Sequence, residues 1–554
     1  MTHTAIVPGL PGLIADSIRA NWNRAAIGDF HGSDMTYAQL AARIAELHLI
    51  FRGAGLRKGD RIALCARNSA EWAATFLGAM TYGAVVVPLL HEFHPGTVEH
   101  LVNHSEARLL ISEDSIVDAL DEEHMPRLDG IVTLPGFRLR MSRSRKLTHA
   151  VEKLPEAFAE SYPSGLTPEA VRYPEPDPQA TALINYTSGS TGNSKGVMLS
   201  YANLAANVTF GMANIPFLHP GDGMVSMLPL AHMYGLVFEF IFPLCKGCHV
   251  TFLGRVPSPK VVLDAFAQIR PKLVITVPLV IEKIVKGKVF PQLRRQPART
   301  LLAIPGLRNV VYSKVRAQLL KAFGGQLEQL ILGGAAMSAE VEEFLRRIKF
   351  PFTVGYGMTE CAPLVTYEWW ASQRPHSCGR LVDGMEARVD SPDPASVPGV
   401  LSVRGANVMQ GYFKNEEATR EALSPDGWLN TGDICTIDKD GYVYLRGRDK
   451  NMILGPSGQN IYPEEIEVVL NNLPLVSESV VVERDGRIVA LVHPDYDEGR
   501  RLGMTEASIE KRVEENLPAL NKELPAYSRV SRFEIHRDEF EKTPKHSIRR
   551  FIYK

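Results

Sequence analysis

The stretch Tyr186-Thr187-Ser188-Gly189-Ser190-Thr191-Gly192-Asn193-Ser194-Lys195-Gly196-Val197 concentrates the residue types that hold phosphate. Residues this small let backbone N–H groups approach phosphate oxygens, the hydroxyls add hydrogen bonds, and Lys195 supplies a point charge. The spacing is not that of a Walker A loop. Counted from Gly189, Ser194 stands where that loop has glycine and Gly196 where it has serine or threonine. A phosphate-binding turn of another kind is expected, between a strand over 181–186 and a following helix capped by Ser200. Two further clusters, Gly333-Gly334-Ala335 and Gly355-Tyr356-Gly357, each follow a predicted strand, where open α/β sheets bind ligands. Cys245-Lys246-Gly247-Cys248-His249 has the spacing of a haem attachment site, but it sits in an apolar stretch leading into a strand and reads as core. His91 and His94 have no third ligand within sequence reach.

The elements that must position these groups alternate. A helix opens at Ser258-Pro259, strands are predicted over 272–277 and 327–332, and Ser338 caps a helix. That helix carries Glu340, Glu342 and Glu343 in its first turn and Arg346, Arg347 and Lys349 in its last, the order its dipole favours. Residues 61–65 and 71–80 repeat the strand–helix alternation near the start. The fold class implied is α/β: a large N-terminal body of mainly parallel sheets flanked by helices. From about residue 450 the pattern changes. A helical stretch over 463–473, Asp485-Gly486 between two apolar runs, a helix from Thr505 and a strand near Phe533 describe a small α+β C-terminal domain. The basic run 137–146 reads as a solvated loop.

Composition sets outer limits. Lys and Arg number 61 against 62 Asp and Glu, a net charge of −1, which argues against nucleic acid as a principal partner. Six cysteines in 554 residues do not make a disulfide scaffold. The most apolar window, 228–245, is interrupted by His232, Gly235, Glu239 and two prolines, so no span of about 20 apolar residues exists there. With no secretory signal at the N-terminus, a cytoplasmic protein is expected.

The motifs, taken in order, resemble the adenylate-forming enzymes: acyl- and aryl-CoA synthetases, luciferase-like proteins and peptide-synthetase adenylation domains. The resemblance rests on the 186–197 stretch and on Leu228-Pro229-Leu230-Ala231-His232-Met233-Tyr234-Gly235. It continues through Gly355-Tyr356-Gly357-Met358-Thr359-Glu360, Thr431-Gly432-Asp433, Tyr444-Leu445-Arg446-Gly447-Arg448-Asp449-Lys450 and Gly458-Gln459-Asn460-Ile461-Tyr462-Pro463-Glu464-Glu465-Ile466-Glu467. It implies transfer of AMP from ATP to a carboxylate, followed by attack of a thiol on the mixed anhydride. The enzyme's part is positioning and charge neutralisation. On that resemblance Thr187, Ser188, Gly189, Ser190, Thr191, Gly192 and Lys195 hold the β- and γ-phosphates. Thr187 and Glu360 stand on the side of a Mg²⁺ ion, and Thr359 contacts the α-phosphate. Adenine lies between Gly333-Gly334-Ala335 and Gly355-Tyr356-Gly357, with the Tyr356 ring stacked on it. Asp433 accepts the ribose hydroxyls with Arg448 in support, and His232 borders the acyl pocket.

The tail departs from the family pattern. The family has a lysine directly before an isoleucine; here Ser547 precedes Ile548, and Lys545 stands two residues earlier. Lys545 is expected to serve as the catalytic tail lysine through a local shift. The resemblance implies domains over 1–448 and 451–554, joined by a hinge at Asp449 and Lys450 about which the small domain rotates between the half-reactions. The segment Val408-Met409-Gln410-Gly411-Tyr412-Phe413-Lys414-Asn415 looks like the long-chain fatty acyl branch. The substrates implied are a fatty acid, ATP and CoA. A carrier-protein phosphopantetheine, an aryl or medium-chain acid, and a non-catalytic nucleotide-binding protein remain alternatives. A homodimer and weak peripheral contact with a membrane are compatible with this reading.

Overall fold

A computed structural model describes residues 9–187, 194–254, 258–304, 306–454, 460–543 and 548–553. An eight-stranded sheet organises the first half of the chain. Its order is Gly411–Tyr412, Lys195–Ser200, Thr181–Thr187, Val85–Leu89, Arg61–Cys65, Leu109–Glu113, Gly130–Leu134 and Arg138–Ser142. The five strands from Thr181–Thr187 to Gly130–Leu134 are parallel, and antiparallel strands border them on both sides. Val85–Leu89 is buried at every residue, as a strand covered on both faces must be. Ser69 caps the helix Ala70–Tyr82 by accepting from the Trp72 amide, and Gly83, at φ 95°, ends it in a left-handed turn. This helix brings Trp72 and Phe76, stacked 5.5 Å apart, into the core.

A second parallel sheet, Leu273–Thr276, Gln329–Leu332 and Phe352–Val354, has its own core, in which Phe266, Phe323 and Phe350 pack together. Next along the chain is an antiparallel sheet of Glu386–Asp390, Gly399–Arg404, Leu429–Ile437 and Val443–Arg448. The last 100 or so residues form a three-stranded sheet, Val476–Arg484, Arg487–Pro494 and Arg532–Ile535, covered by the helices Pro463–Leu470 and Glu506–Glu514. Its hairpin turns at Asp485 and Gly486, both at positive φ, the geometry that Asp-Gly favours. Among the described residues no helix is long and apolar enough to cross a membrane.

Three local expectations are corrected. The phosphate-binding stretch does not lead into a helix. It joins two antiparallel strands, and the capped helix Tyr201–Asn214 starts only after the second of them. Val197, Met198 and Leu199 extend the sheet because the row of backbone groups on Thr181–Thr187 needs partners. The basic run is no loop either. Arg138–Ser142 is the edge strand of the large sheet, with Arg138 paired to Asp114 and Arg140 to Asp118, and charges of this kind protect an edge from further pairing. Ser338 stands at the head of the helix Ala339–Arg347, yet its hydroxyl bonds Asn472 of the C-terminal region at 2.6 Å rather than capping.

Candidate functional site

The end expected to hold phosphate is built on the hairpin. Thr187 and Lys195 face each other across it, and the Thr187 hydroxyl donates to the Lys195 carbonyl at 3.5 Å. Tyr412, on the short strand paired to Val197, lies beneath Lys195, whose Nζ is 4.7 Å from the ring centroid. The Tyr412 hydroxyl donates to Glu360 Oε1 at 3.0 Å. Burial, and then the Glu360 charge, push the Tyr412 phenol well above its ordinary range, so it stays a donor. Glu360 sits in the turn Thr359–Cys361 and is anchored by its backbone, its carbonyl accepting the Met409 amide at 2.8 Å. Thr187, Lys195, Thr359 and Glu360 are thus gathered by three elements distant in sequence. Ser188, Gly189, Ser190, Thr191 and Gly192 lie outside the described residues.

The end expected to hold the nucleoside is built on another antiparallel pair. Asp433 and Arg448, fifteen residues apart, are directly opposite across the hairpin Leu429–Ile437 and Val443–Arg448. Arg448 Nε lies 2.6 Å from Asp433 Oδ1, and the Tyr356 hydroxyl donates to Oδ2 at 2.5 Å. The Asp433 amide donates to the Thr431 hydroxyl at 3.0 Å, which donates to the Leu401 carbonyl at 2.8 Å, so the turn is locked from behind. Burial raises the Asp433 carboxyl, with Arg448 and Tyr356 acting against it and Glu360 and Glu464 acting with it. Desolvation acts downward on Arg448, but the carboxylates of Asp433, Glu360 and Glu464 outweigh it. The two ends therefore feel each other's charge.

The third wall is made of strand ends. The Gly333 amide donates to the Thr276 carbonyl at 3.2 Å, and the Gly355 amide to the Leu332 carbonyl at 2.8 Å. A Cβ on Gly357 would fall 2.3 Å from the Pro363 carbonyl oxygen, so only glycine fits there. A Cβ on Gly333 would press on the Tyr234 ring at 3.2 Å. Tyr234 belongs to the turn that follows His232, and its hydroxyl bonds the Ile331 carbonyl at 3.2 Å. The Asn185 amide donates to the Ala231 carbonyl at 2.8 Å, which ties this turn to the phosphate strand. Behind it the wholly buried Glu239 accepts from Ser226 and from the Met227 and Leu228 amides through Oε2. Burial drives its carboxyl far above the usual range.

Two expected residues lead into the C-terminal region, and six expected residues, Lys545 among them, lie outside the described residues. Asp449 and Lys450 occupy the short turn Asp449–Asn451 leading into the C-terminal region, and the Asn451 amide holds Glu464 at 2.6 Å. Lys545 lies outside the described residues. Sequence reasoning missed Tyr412, which bridges Lys195 and Glu360, and Glu464, whose charge reaches Asp433. Both sit in quoted motifs, Tyr412 beside the strand-forming Gly411 and Glu464 after Pro463, but only the fold reveals their neighbours. Among the described residues there is no cluster of three or more His, Cys, Asp and Glu that could hold a metal unaided. The Thr187 hydroxyl and the Glu360 carboxylate are all-oxygen donors, a set that fits a Mg²⁺ ion taking its remaining ligands from phosphate and water.

A family model described as AMP-binding enzyme matches residues 15–413, and one described as AMP-binding enzyme C-terminal domain matches 450–553. The long-chain-fatty-acid–CoA ligase FadD15 of Mycobacterium tuberculosis is 30% identical over 476 residues, covering 81% of this chain and 75% of that protein. The long-chain-fatty-acid–CoA ligase of Escherichia coli O157:H7 is 30% identical over 482 residues, covering 81% and 79%. Among solved structures, ATP-bound MatB from Rhodopseudomonas palustris superposes with a TM-score of 0.76 at 25% identity, over 98% of both chains. The o-succinylbenzoate CoA synthetase MenE of Bacillus subtilis, in complex with its acyl-adenylate intermediate, gives 0.74 at 20% identity over 98% of both chains, a likeness of fold.

Proposed function

The chain belongs to the AMP-binding enzyme family as an AMP-forming acid–thiol ligase, and on that premise we propose that its acid is a long-chain fatty acid and its acceptor the thiol of CoA. In the first half-reaction the carboxylate attacks the α-phosphorus of ATP and the bond to the β-phosphate oxygen breaks, releasing diphosphate. In the second the thiol adds to the acyl carbon, the bond to AMP breaks, and the thiol proton passes to solvent.

The chain's own groups take these parts. The 187–195 hairpin turn (Thr187, Ser188, Gly189, Ser190, Thr191, Gly192, Lys195) clasps the β- and γ-phosphates. Thr359 touches the α-phosphate. Thr187 and Glu360 hold Mg²⁺, which when bound neutralises phosphate charge. Gly333, Gly334 and Ala335 on one side, and Gly355 and Gly357 on the other, lack bulky side chains and leave a slot for a flat base, with the Tyr356 ring stacked on it. Asp433, fixed by Arg448, accepts the ribose hydroxyls. His232 borders the acyl group, and Lys545 reaches the carboxylate and α-phosphate. Asp449 and Lys450 form the hinge on which the small domain, 451–554, turns against 1–448. The curated relatives named for long-chain acids support the substrate; a carrier-protein phosphopantetheine offers the same sulfur as CoA.

The observation that carries this reading is the pair of bridges Lys195–Tyr412–Glu360 and Tyr356–Asp433–Arg448, whose carboxylates are within reach of each other's charge. Exchange of labelled diphosphate into ATP, run with acids of rising length and then with CoA or a carrier protein, tests it. Exchange should depend on the acid, be strongest with long chains, and end in AMP with CoA as acceptor. Formation of ADP, or exchange indifferent to acid, would overturn it.

A further inference from the structure

The charge on this chain is not spread evenly. Between residues 278 and 322 there are ten Lys and Arg and a single carboxylate, Glu282, although the whole chain sums to −1. Glu282 is already used, its Oε1 accepting the Ser338 amide at 2.7 Å. Lys283, Lys288, Arg294, Arg295, Arg299, Arg308, Lys314 and Lys321 are exposed, and among the described residues no carboxylate stands within ion-pair distance of any of them. A solvated face of a globular protein ordinarily mixes both signs; this one does not.

The same segment exposes aliphatic side chains. Ile304, Leu307 and Val310 are 42%, 41% and 63% exposed, and they cluster where the helix Ala298–Ala303 gives way to the helix Leu307–Ala322. Positions 307, 310, 314 and 321 fall on one stripe of that second helix, so Leu307 and Val310 lie in line with Lys314 and Lys321. Its opposite side is anchored: Leu319 is buried and Tyr312 packs edge-on against Phe344 at 6.5 Å. Exposed aliphatic groups flanked along the chain by exposed cations match an anionic lipid surface. Phosphate headgroups neutralise the cations while the aliphatic tips enter the boundary with the acyl chains. Nucleic acid fits less well, since it offers no apolar layer for Ile304, Leu307 and Val310.

The segment also starts at the right place. The helix Pro278–Ile284 begins just after Thr276, whose carbonyl holds the Gly333 amide at 3.2 Å, beside Tyr234 of the turn that follows His232. We propose that residues 278–322 form a docking surface for an anionic lipid bilayer, seating the rim of the acyl site at the membrane from which a water-poor acid is drawn. The purpose, though not the surface itself, rests on reading the substrate as a fatty acid.

The test uses the full chain without ATP, acid or CoA, floated with vesicles of phosphatidylcholine alone or mixed equally with phosphatidylglycerol. Binding is expected only to the mixed vesicles and should weaken steeply as NaCl rises. Each basic residue near such a surface strengthens binding about fivefold. The variant Arg294→Glu, Arg295→Glu, Arg299→Glu should therefore bind at least about a hundredfold more weakly. The variant Ile304→Ser, Leu307→Ser, Val310→Ser should lose binding most visibly at high salt, where charge no longer compensates. Both variants should keep adenylation of a short, freely soluble acid, which shows that they fold. Equal binding to both vesicle types, undiminished binding by the charge variant, or tighter binding to a duplex oligonucleotide than to the mixed vesicles would overturn the proposal. Vesicle binding without preference for fatty acids in the exchange assay would leave the surface standing and remove the substrate reading instead.

Discussion

Two regions of this molecule handle positive charge in opposite ways. At the nucleoside end Arg448 meets Asp433 in register across a hairpin, Tyr356 takes the other carboxylate oxygen, and backbone bonds lock the turn. In residues 278–322 the cations outnumber carboxylates ten to one, and among the described residues no carboxylate pairs with the exposed ones. The buried Asp433 carboxylate must be paired, because leaving a charge alone out of water costs several kcal/mol, about enough to unfold a marginal domain. A charge left in water carries no such requirement, and its partner can come from elsewhere. On the proposed reading the paired region is preorganised for one small ligand and the unpaired one for an extended surface.

This contrast can be broken by substitution, and the largest effect is expected where charge is most constrained. Glu360→Gln keeps the size of the side chain and can still meet the Tyr412 hydroxyl, but it removes the carboxylate offered to Mg²⁺. Acid-dependent diphosphate exchange should fall by about 10²–10³-fold, with little change in thermal unfolding; unchanged exchange would separate Glu360 from the reaction. Lys545→Ala should lower the same exchange by about a hundredfold while leaving thioester formation from preformed acyl-AMP intact, since the lysine belongs to the first half-reaction only. Equal loss in both assays would remove that assignment.

A smaller effect sharpens the comparison at Asp433. Tyr356→Phe deletes one donor to a buried carboxylate, which should weaken AMP binding by about tenfold. It should also move the acidic limb of binding to higher pH, because the lost hydrogen bond held down a carboxyl that burial already raises. Calorimetric titration of AMP across pH reads both. A limb that stays in place would mean that Tyr356 does not tune Asp433.

The smallest effect concerns Glu239. Its carboxyl is raised far above the ordinary 4.5 by burial, so the native state binds a proton that the unfolded chain releases. The sign follows: this group's favourable contribution is complete below the unfolded value and is lost as pH rises through the folded one. Glu239→Gln supplies a neutral side chain of the same shape, so its melting temperature should fall less between pH 6 and pH 8 than that of the unaltered chain, by about a degree or two. Parallel pH profiles would show that Glu239 is ionised in the fold.

How legible all this was depended on whether chemistry was local in sequence. The strand ends at Gly333 and Gly355, the helix capped by Ser200 and the Asp485-Gly486 hairpin follow from short patterns whose physics is complete within a few residues. The hairpin after Thr187 was not legible, because only the row of unpaired backbone groups on Thr181–Thr187 makes a strand of Val197-Met198-Leu199. Ser338 shows the same limit: its type suits a helix cap, but Asn472, 134 residues away, competes for its hydroxyl. Tyr412 carries no motif of its own that reveals it as the bridge between Lys195 and Glu360. The cationic face was hidden because its charges are interleaved with apolar residues over more than forty positions, so no short run stands out.

The central claim is that the hairpin after residue 181 and the Asp433–Arg448 pair hold one ATP molecule so that an acid captures its AMP. Product analysis with an ¹⁸O-labelled fatty acid tests this most directly. Transfer of one label from the carboxylate into AMP, with release of diphosphate, is the predicted result. Unlabelled AMP, or label found in inorganic phosphate beside ADP, would contradict it.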